Sequence, residues 1–116
     1  MTQPLIKNIK RNEVLSLCDS VDILTGQVVS KTLAQSHALS LTLFAFDKGE
    51  QISSHRSEGD AMITVLFGSA TVTVDGKEHI LKTGDTLVMP AGLPHAVDAT
   101  EAFKMLLTVV FPQKTE

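Results

Sequence analysis

The chain has 116 residues, of which 43% are apolar and 20% charged, with seven glycines, four prolines and a net charge of −3. This is the composition of one ordinary globular domain spanning residues 1–116, and it excludes collagen-like, low-complexity and disordered classes. The acidic balance argues against a nucleic-acid or anionic-membrane partner, since phosphate-bearing surfaces demand a basic face.

Cys18 is the single cysteine, so neither an intramolecular disulfide nor a cysteine zinc cluster can form within the chain. The start, Met-Thr-Gln-Pro-Leu-Ile-Lys, lacks the basic and apolar regions of a secretory signal. No apolar run approaches the roughly 20 residues of a membrane span. The expectation is a soluble cytoplasmic protein with no membrane partner. Trp and Tyr are both absent, which leaves five Phe and the aliphatic residues to supply the core.

In chain order, Asn8 to Leu17 reads as one short helix or an irregular lead-in. From there the pattern turns to a period of two. Gln27–Ala34 and Leu39–Phe46 are rich in β-branched and aromatic residues, and the second ends at Asp47-Lys48-Gly49. Ala61–Phe67 is an apolar run stopped by Gly68. Thr71–Val74 and Lys77–Leu81 flank Asp75-Gly76, the two-residue loop most characteristic of a hairpin. Thr86–Met89 ends at Pro90, and Phe103–Phe111 is the last strand. Short strands spaced by glycine-containing turns predict an all-β sandwich or barrel.

Two histidines stand among glycines and prolines. His55 lies in Gly49-Glu-Gln-Ile-Ser-Ser-His55, and Gly68 follows thirteen residues later. His95 lies in Gly84-Asp-Thr-Leu-Val-Met-Pro90-Ala-Gly92-Leu-Pro-His95. These segments resemble the cupin superfamily, whose motifs run G-x5-H-x-H-x3,4-E-x6-G and G-x5-P-x-G-x2-H-x3-N. Gly84, Pro90, Gly92 and His95 match the second motif, and Gly49, His55 and Gly68 match the first. The resemblance covers about Leu39 to Phe111. It implies a small cupin-type jelly-roll barrel over about residues 27–112, preceded by a short N-terminal segment, with His55 and His95 pointing into its cavity.

The departures are as informative. Ser57 stands where the first motif has its second His, Ala61 where it has Glu, and Ala99 where the second motif has Asn. Two of the four ligands of a metal-binding cupin remain. His55 and His95 could hold a divalent ion such as Ni, Zn, Fe or Mn only with other groups or water completing the shell. Asp60 is a weak third candidate ligand, which a bulge at Gly59 would have to re-aim. Ser57 is a hydrogen-bond partner rather than a ligand.

The remaining residues of interest carry blander roles. An Asp-Gly hairpin pairs His79 with Val72, on the face of Leu81, as a packing or surface residue. His37 is expected in solvent, with a contact at the cavity rim as the alternative. Met62, Met89 and Met105 read as core filler and Cys18 as an inert or exposed thiol. No nucleophile elbow, phosphate loop or H-E-x-x-H occurs, so no nucleotide cofactor is expected.

The first expectation is therefore a protein that binds a small molecule in the barrel, with His55, Ser57 and His95 as the polar end of the pocket. The alternatives are a metal-dependent cupin enzyme of oxygenase, isomerase or lyase type, and a metal-free structural or regulatory module. If the strand ran on unbulged, Ala61, Ile63 and Val65 would share the face of His55, and Met62, Thr64 and Leu66 would make the opposite face apolar as well. That second face predicts a homodimer, with the N-terminal strand taking part.

Overall fold

Period-two alternation becomes burial along almost every strand of the computed structural model, which describes residues 4–114. The strands are β1 (Val28–Gln35), β2 (Leu39–Phe46), β3 (Gln51–His55), β4 (Asp60–Phe67), β5 (Ser69–Val74), β6 (Lys77–Lys82), β7 (Thr86–Met89), β8 (His95–Asp98) and β9 (Phe103–Val110). They form a five-stranded antiparallel sheet in the order β1-β2-β9-β4-β7 and a four-stranded one in the order β3-β8-β5-β6. The predicted all-β jelly roll is the observed architecture. Among the described residues no helix is long and apolar enough to cross a membrane.

One cluster joins the inner faces of the two sheets. Ala61, Ile63, Val65 and Met105 from the larger sheet meet Val72, Val74, Leu81 and Val97 from the smaller. Phe46 and Phe103 stand directly opposite each other in the β2–β9 register, both with no exposed surface, and their rings stack at 4.6 Å. A cross-strand aromatic pair of this kind adds to the energy of burial and locks the register. Met89 and Met105 are core residues as expected, whereas Met62 is partly exposed on the outer face.

The segment before β1 is irregular apart from one 3-10 turn at Cys18–Ser20, so residues 8–17 form no helix. It lies on the outer face of the larger sheet. Ile9, Leu17, Val21 and Ile23 pack there on Leu33, Leu43, Ala45 and Leu66. Lys31 Nζ donates to the Ser20 carbonyl at 2.8 Å and Lys104 Nζ to that of Cys18 at 2.6 Å. Part of the apolar outer face is thus covered by the chain itself.

Two elements left no mark on the sequence pattern. β3 is Gln-Ile-Ser-Ser-His, with one apolar residue, and β8 is only four residues long after Pro94. The chain also does not run on from His55 into Ala61–Phe67 as one strand. β3 and β4 belong to opposite sheets and are joined by a turn. Ala61, Ile63 and Val65 still face inward, because alternation within β4 alone suffices to put them there.

Two glycines show how the turns are specified. Asp75 (φ 48°) and Gly76 (φ 81°) both take positive φ, the signature of the type I′ hairpin that suits the strand twist. Gly68 (φ 82°) sits between β4 and β5, where a Cβ would overlap the Ala102 carbonyl and crowd Phe103. Gly76→Ala meets open space and should cost about 1 kcal/mol for its backbone conformation alone. Gly68→Ala should cost roughly 3 kcal/mol, because the overlap is with backbone. Urea unfolding of both variants checks the difference, and equal losses would refute this account of Gly68.

Candidate functional site

β3 and β8 pair as Gln51 with Asp98, Ile52 with Val97 and His55 with His95. From Ile52 to His55 is three residues on β3, and from Val97 to His95 is two on β8. One extra residue is therefore accommodated in β3, a bulge. In an unbulged ladder Ser54 would face His95, and His55 would point to the other side. The bulge returns His55 to the face that carries Ile52 on β3, and His95 and Val97 on β8.

The rings meet edge to face, 4.3 Å between centroids at 67°, and their Nε2 atoms are 3.2 Å apart. Each Nδ1 lies beside a carbonyl two residues earlier in its own chain. His55 Nδ1 is 3.1 Å from the Ser53 oxygen and His95 Nδ1 is 3.2 Å from that of Leu93. A carbonyl only accepts, so each Nδ1 carries the proton and donates. In a neutral imidazole the other nitrogen then offers a lone pair. Two Nε2 lone pairs consequently face each other, an arrangement that repels unless a proton or a cation sits between them.

His95 is buried and His55 is exposed. Burial holds the His95 pKa below its ordinary value, the neighbouring His55 pushes it the same way, and the Leu93 carbonyl opposes them. His95 is therefore kept neutral, the state in which imidazole binds a metal.

The chemistry of this donor pair fits a divalent ion. With metal–nitrogen bonds of about 2.0–2.1 Å, nitrogens 3.2 Å apart subtend roughly 100° at a shared ion, between octahedral and tetrahedral angles. The described residues contain no group of three or more His, Cys, Asp or Glu able to hold a metal.

Asp60 does not join the histidine pair in this structure. Its Oδ1 accepts the Ala91 amide at 2.9 Å, and no bulge occurs at the start of β4 to re-aim it. Gly59 serves a different need, since a Cβ there would overlap the Val110 carbonyl. Ala61, at the glutamate position, is a buried core residue. Ser57 is half-buried, and its hydroxyl oxygen accepts the Gly59 amide at 3.2 Å rather than reaching either histidine. His79 pairs with Val72 as predicted, and His37 is exposed. His37 lines a separate groove of about 690 Å³ with Glu58, Phe111 and Lys114.

Arg56 and Ala91, which the sequence did not single out, join Gly92, Ser57 and Asp60 in tying the two histidine-bearing segments together. Arg56 Nη1 donates to the Gly92 carbonyl at 2.6 Å, and the Gly92 amide donates to the Ser57 carbonyl at 2.9 Å. With Asp60 and Ala91 these contacts clasp the 56–60 turn to the 90–94 turn. Arg56 directly follows His55, but no spacing rule marks it.

The Cupin domain family profile matches residues 42–111. The chain belongs to the cupin family. A conserved protein of unknown function from Streptococcus pyogenes is 46% identical, with a TM-score of 0.95 over 98% of this chain and 100% of that one. A cupin superfamily protein from Desulfitobacterium hafniense DCB-2 is 33% identical, with a TM-score of 0.88 over 92% and 98% of the two chains. An uncharacterized protein of Aquifex aeolicus (strain VF5) is 30% identical over 67 residues, and that match takes in 58% of this cupin and 55% of the relative's length.

The pKa of His95 has a consequence for stability. As pH falls below 6.5 the unfolded chain takes up a proton at His95 that the native cupin resists. The stability tied to neutral His95 is therefore complete above that pH, and it is lost as pH falls through the lower folded value. Urea melts of chelator-treated protein at about pH 7.5 and about pH 5 should show a larger loss for wild type than for His95→Gln. Equal losses would contradict the assignment.

Proposed function

We propose that this cupin binds a small molecule at the end of the barrel marked by His55 and His95, through a divalent metal ion that the two imidazoles hold. The observation that carries the reading is the pair of Nε2 atoms facing each other at 3.2 Å, each ring oriented by a backbone carbonyl at its other nitrogen. Such carbonyl contacts orient the ligand imidazoles of metal sites generally. A divalent ion so held supplies Lewis acidity at the positions the protein leaves open.

The chain's own part is to orient the two donors and to surround them with apolar side chains. Ile52 and Val97 share the inner face next to the pair, and Val74 stands beside His95 in the register with β5. A small organic ligand reaching this end would meet two fixed nitrogens at the edge of an apolar wall, the usual composition of a specific pocket. Nickel, zinc, iron and manganese all accept imidazole nitrogen, and the pair alone does not choose among them.

Elemental analysis and calorimetric titration of chelator-treated protein with each ion test this reading. Wild type should take up about one ion per chain, and His55→Ala and His95→Ala should each abolish it. Wild-type protein that stays metal-free with every ion would overturn the metal reading and leave the histidines as polar lining.

We propose from a separate observation that this cupin is a homodimer. The N-terminal segment leaves open the outer face around Met62 and Val88, which stand opposite each other in the β4–β7 register and are 37% and 52% exposed. Leu39 and Val110, another exposed pair, continue that face across β2 and β9. At micromolar concentration, light scattering should give the dimer mass for wild type and the monomer mass for Val88→Lys. A monomeric wild type refutes the dimer.

A further inference from the structure

His55 and His95 form the last rung of the β3–β8 ladder, and the bulge interrupts that ladder just before them. The strand register sets the face on which each ring stands, and past this rung no further β3–β8 pairing holds the two chains together. What lies immediately beyond the rung is the clasp between the turns that continue from the two histidines. Arg56 Nη1 donates to the Gly92 carbonyl at 2.6 Å, the Gly92 amide donates to the Ser57 carbonyl at 2.9 Å, and the Ala91 amide donates to Asp60 Oδ1 at 2.9 Å. Gly92 is gripped at both its N–H and its C=O. Two of the three contacts involve a charged side chain, the stronger kind of hydrogen bond.

We infer that Arg56 and Asp60 are positioning residues for the histidine pair, holding the 90–94 turn against the 56–60 turn so that the two Nε2 atoms converge. Neither residue contributes a donor to the pair. Asp60 acts through the Ala91 amide, four residues before His95, and Arg56 acts through Gly92 from the position next to His55. The inference rests on the reading of the pair as metal-holding where affinity is concerned. Its geometric content does not.

The test uses Asp60→Ala, Arg56→Met, the conservative Asp60→Asn, which keeps an acceptor oxygen, and Asp85→Ala as a matched control. Asp85 Oδ2 accepts the Lys82 amide at 2.9 Å, a comparable exposed carboxylate-to-backbone contact in another turn. Crystal structures of metal-free Asp60→Ala and Arg56→Met should show the 90–94 turn displaced and the Nε2 atoms no longer at 3.2 Å. Asp60→Asn should retain both. Nickel titration should show binding weakened on the order of tenfold or more in Asp60→Ala and Arg56→Met, largely restored in Asp60→Asn and unchanged in Asp85→Ala.

An unmoved histidine pair in both disrupting variants would overturn the positioning role whether or not metal binds. Nickel binding that falls equally in Asp85→Ala would overturn it as well, since the loss would then track general stability. Wild type that fails to bind nickel, with the pair displaced in the disrupting variants, would leave the positioning role standing and count against nickel as the ion.

Discussion

The candidate site depends on the extra residue that β3 carries between Ile52 and His55. Side chains alternate along a strand, so a one-residue slip moves a side chain to the other face of the sheet. Without the bulge, Ser54 would oppose His95, and the two imidazoles would lie on opposite sides of the four-stranded sheet. With it, both rings stand on the face of Ile52 and Val97, and their Nε2 atoms come within 3.2 Å. A bulge lengthens one strand and interrupts its ladder, so the geometry it creates needs support from elsewhere. The turns following His55 and preceding His95 provide that support through Arg56, Ser57, Asp60 and Gly92.

The barrel that carries the pair is stiff for reasons independent of the site. Phe46 and Phe103, the end rung of the β2–β9 ladder, are a fully buried stacked pair, and every strand of the larger sheet contributes to one of the two apolar clusters. The N-terminal segment adds a second layer outside β1 and β2, fixed by Lys31 and Lys104 on the carbonyls of the 3-10 turn. A lysine ammonium placed on the carbonyls that end a helical turn satisfies acceptors that have no partner within the turn. Ordering of this kind matters to a two-histidine site, because two donors cannot converge unless the strands bearing them are held in place.

The altered motif positions have acquired other work. Ala61, in the place of the motif glutamate, is part of the packed core, and a carboxylate there would have to be desolvated. Ser57, in the place of the second histidine, closes a local turn onto the Gly59 amide and lends its carbonyl to Gly92. Asp60, the carboxylate adjacent to Ala61, is committed to the Ala91 amide. What remains is two imidazoles, each with its Nδ1 set against a backbone carbonyl. The burial and the like neighbour that hold His95 neutral also keep its lone pair available.

The all-β class, most of the strands, the Asp75-Gly76 hairpin and the pairing of His79 with Val72 were legible in the sequence. They depend on local rules: alternation of apolar residues, and a turn that only residues tolerating positive φ can make. The glycine and proline spacing around His55 and His95 likewise marked the two histidines and the cupin resemblance. β3 and β8 were not legible, because a mostly polar five-residue strand and a four-residue strand gain their hydrogen bonds only from each other and from β5. Nor were the bulge, the clasp and the commitment of Asp60. Each of these requires backbone from opposite ends of the motif region to meet across the barrel, and no pattern confined to neighbouring residues records such a meeting.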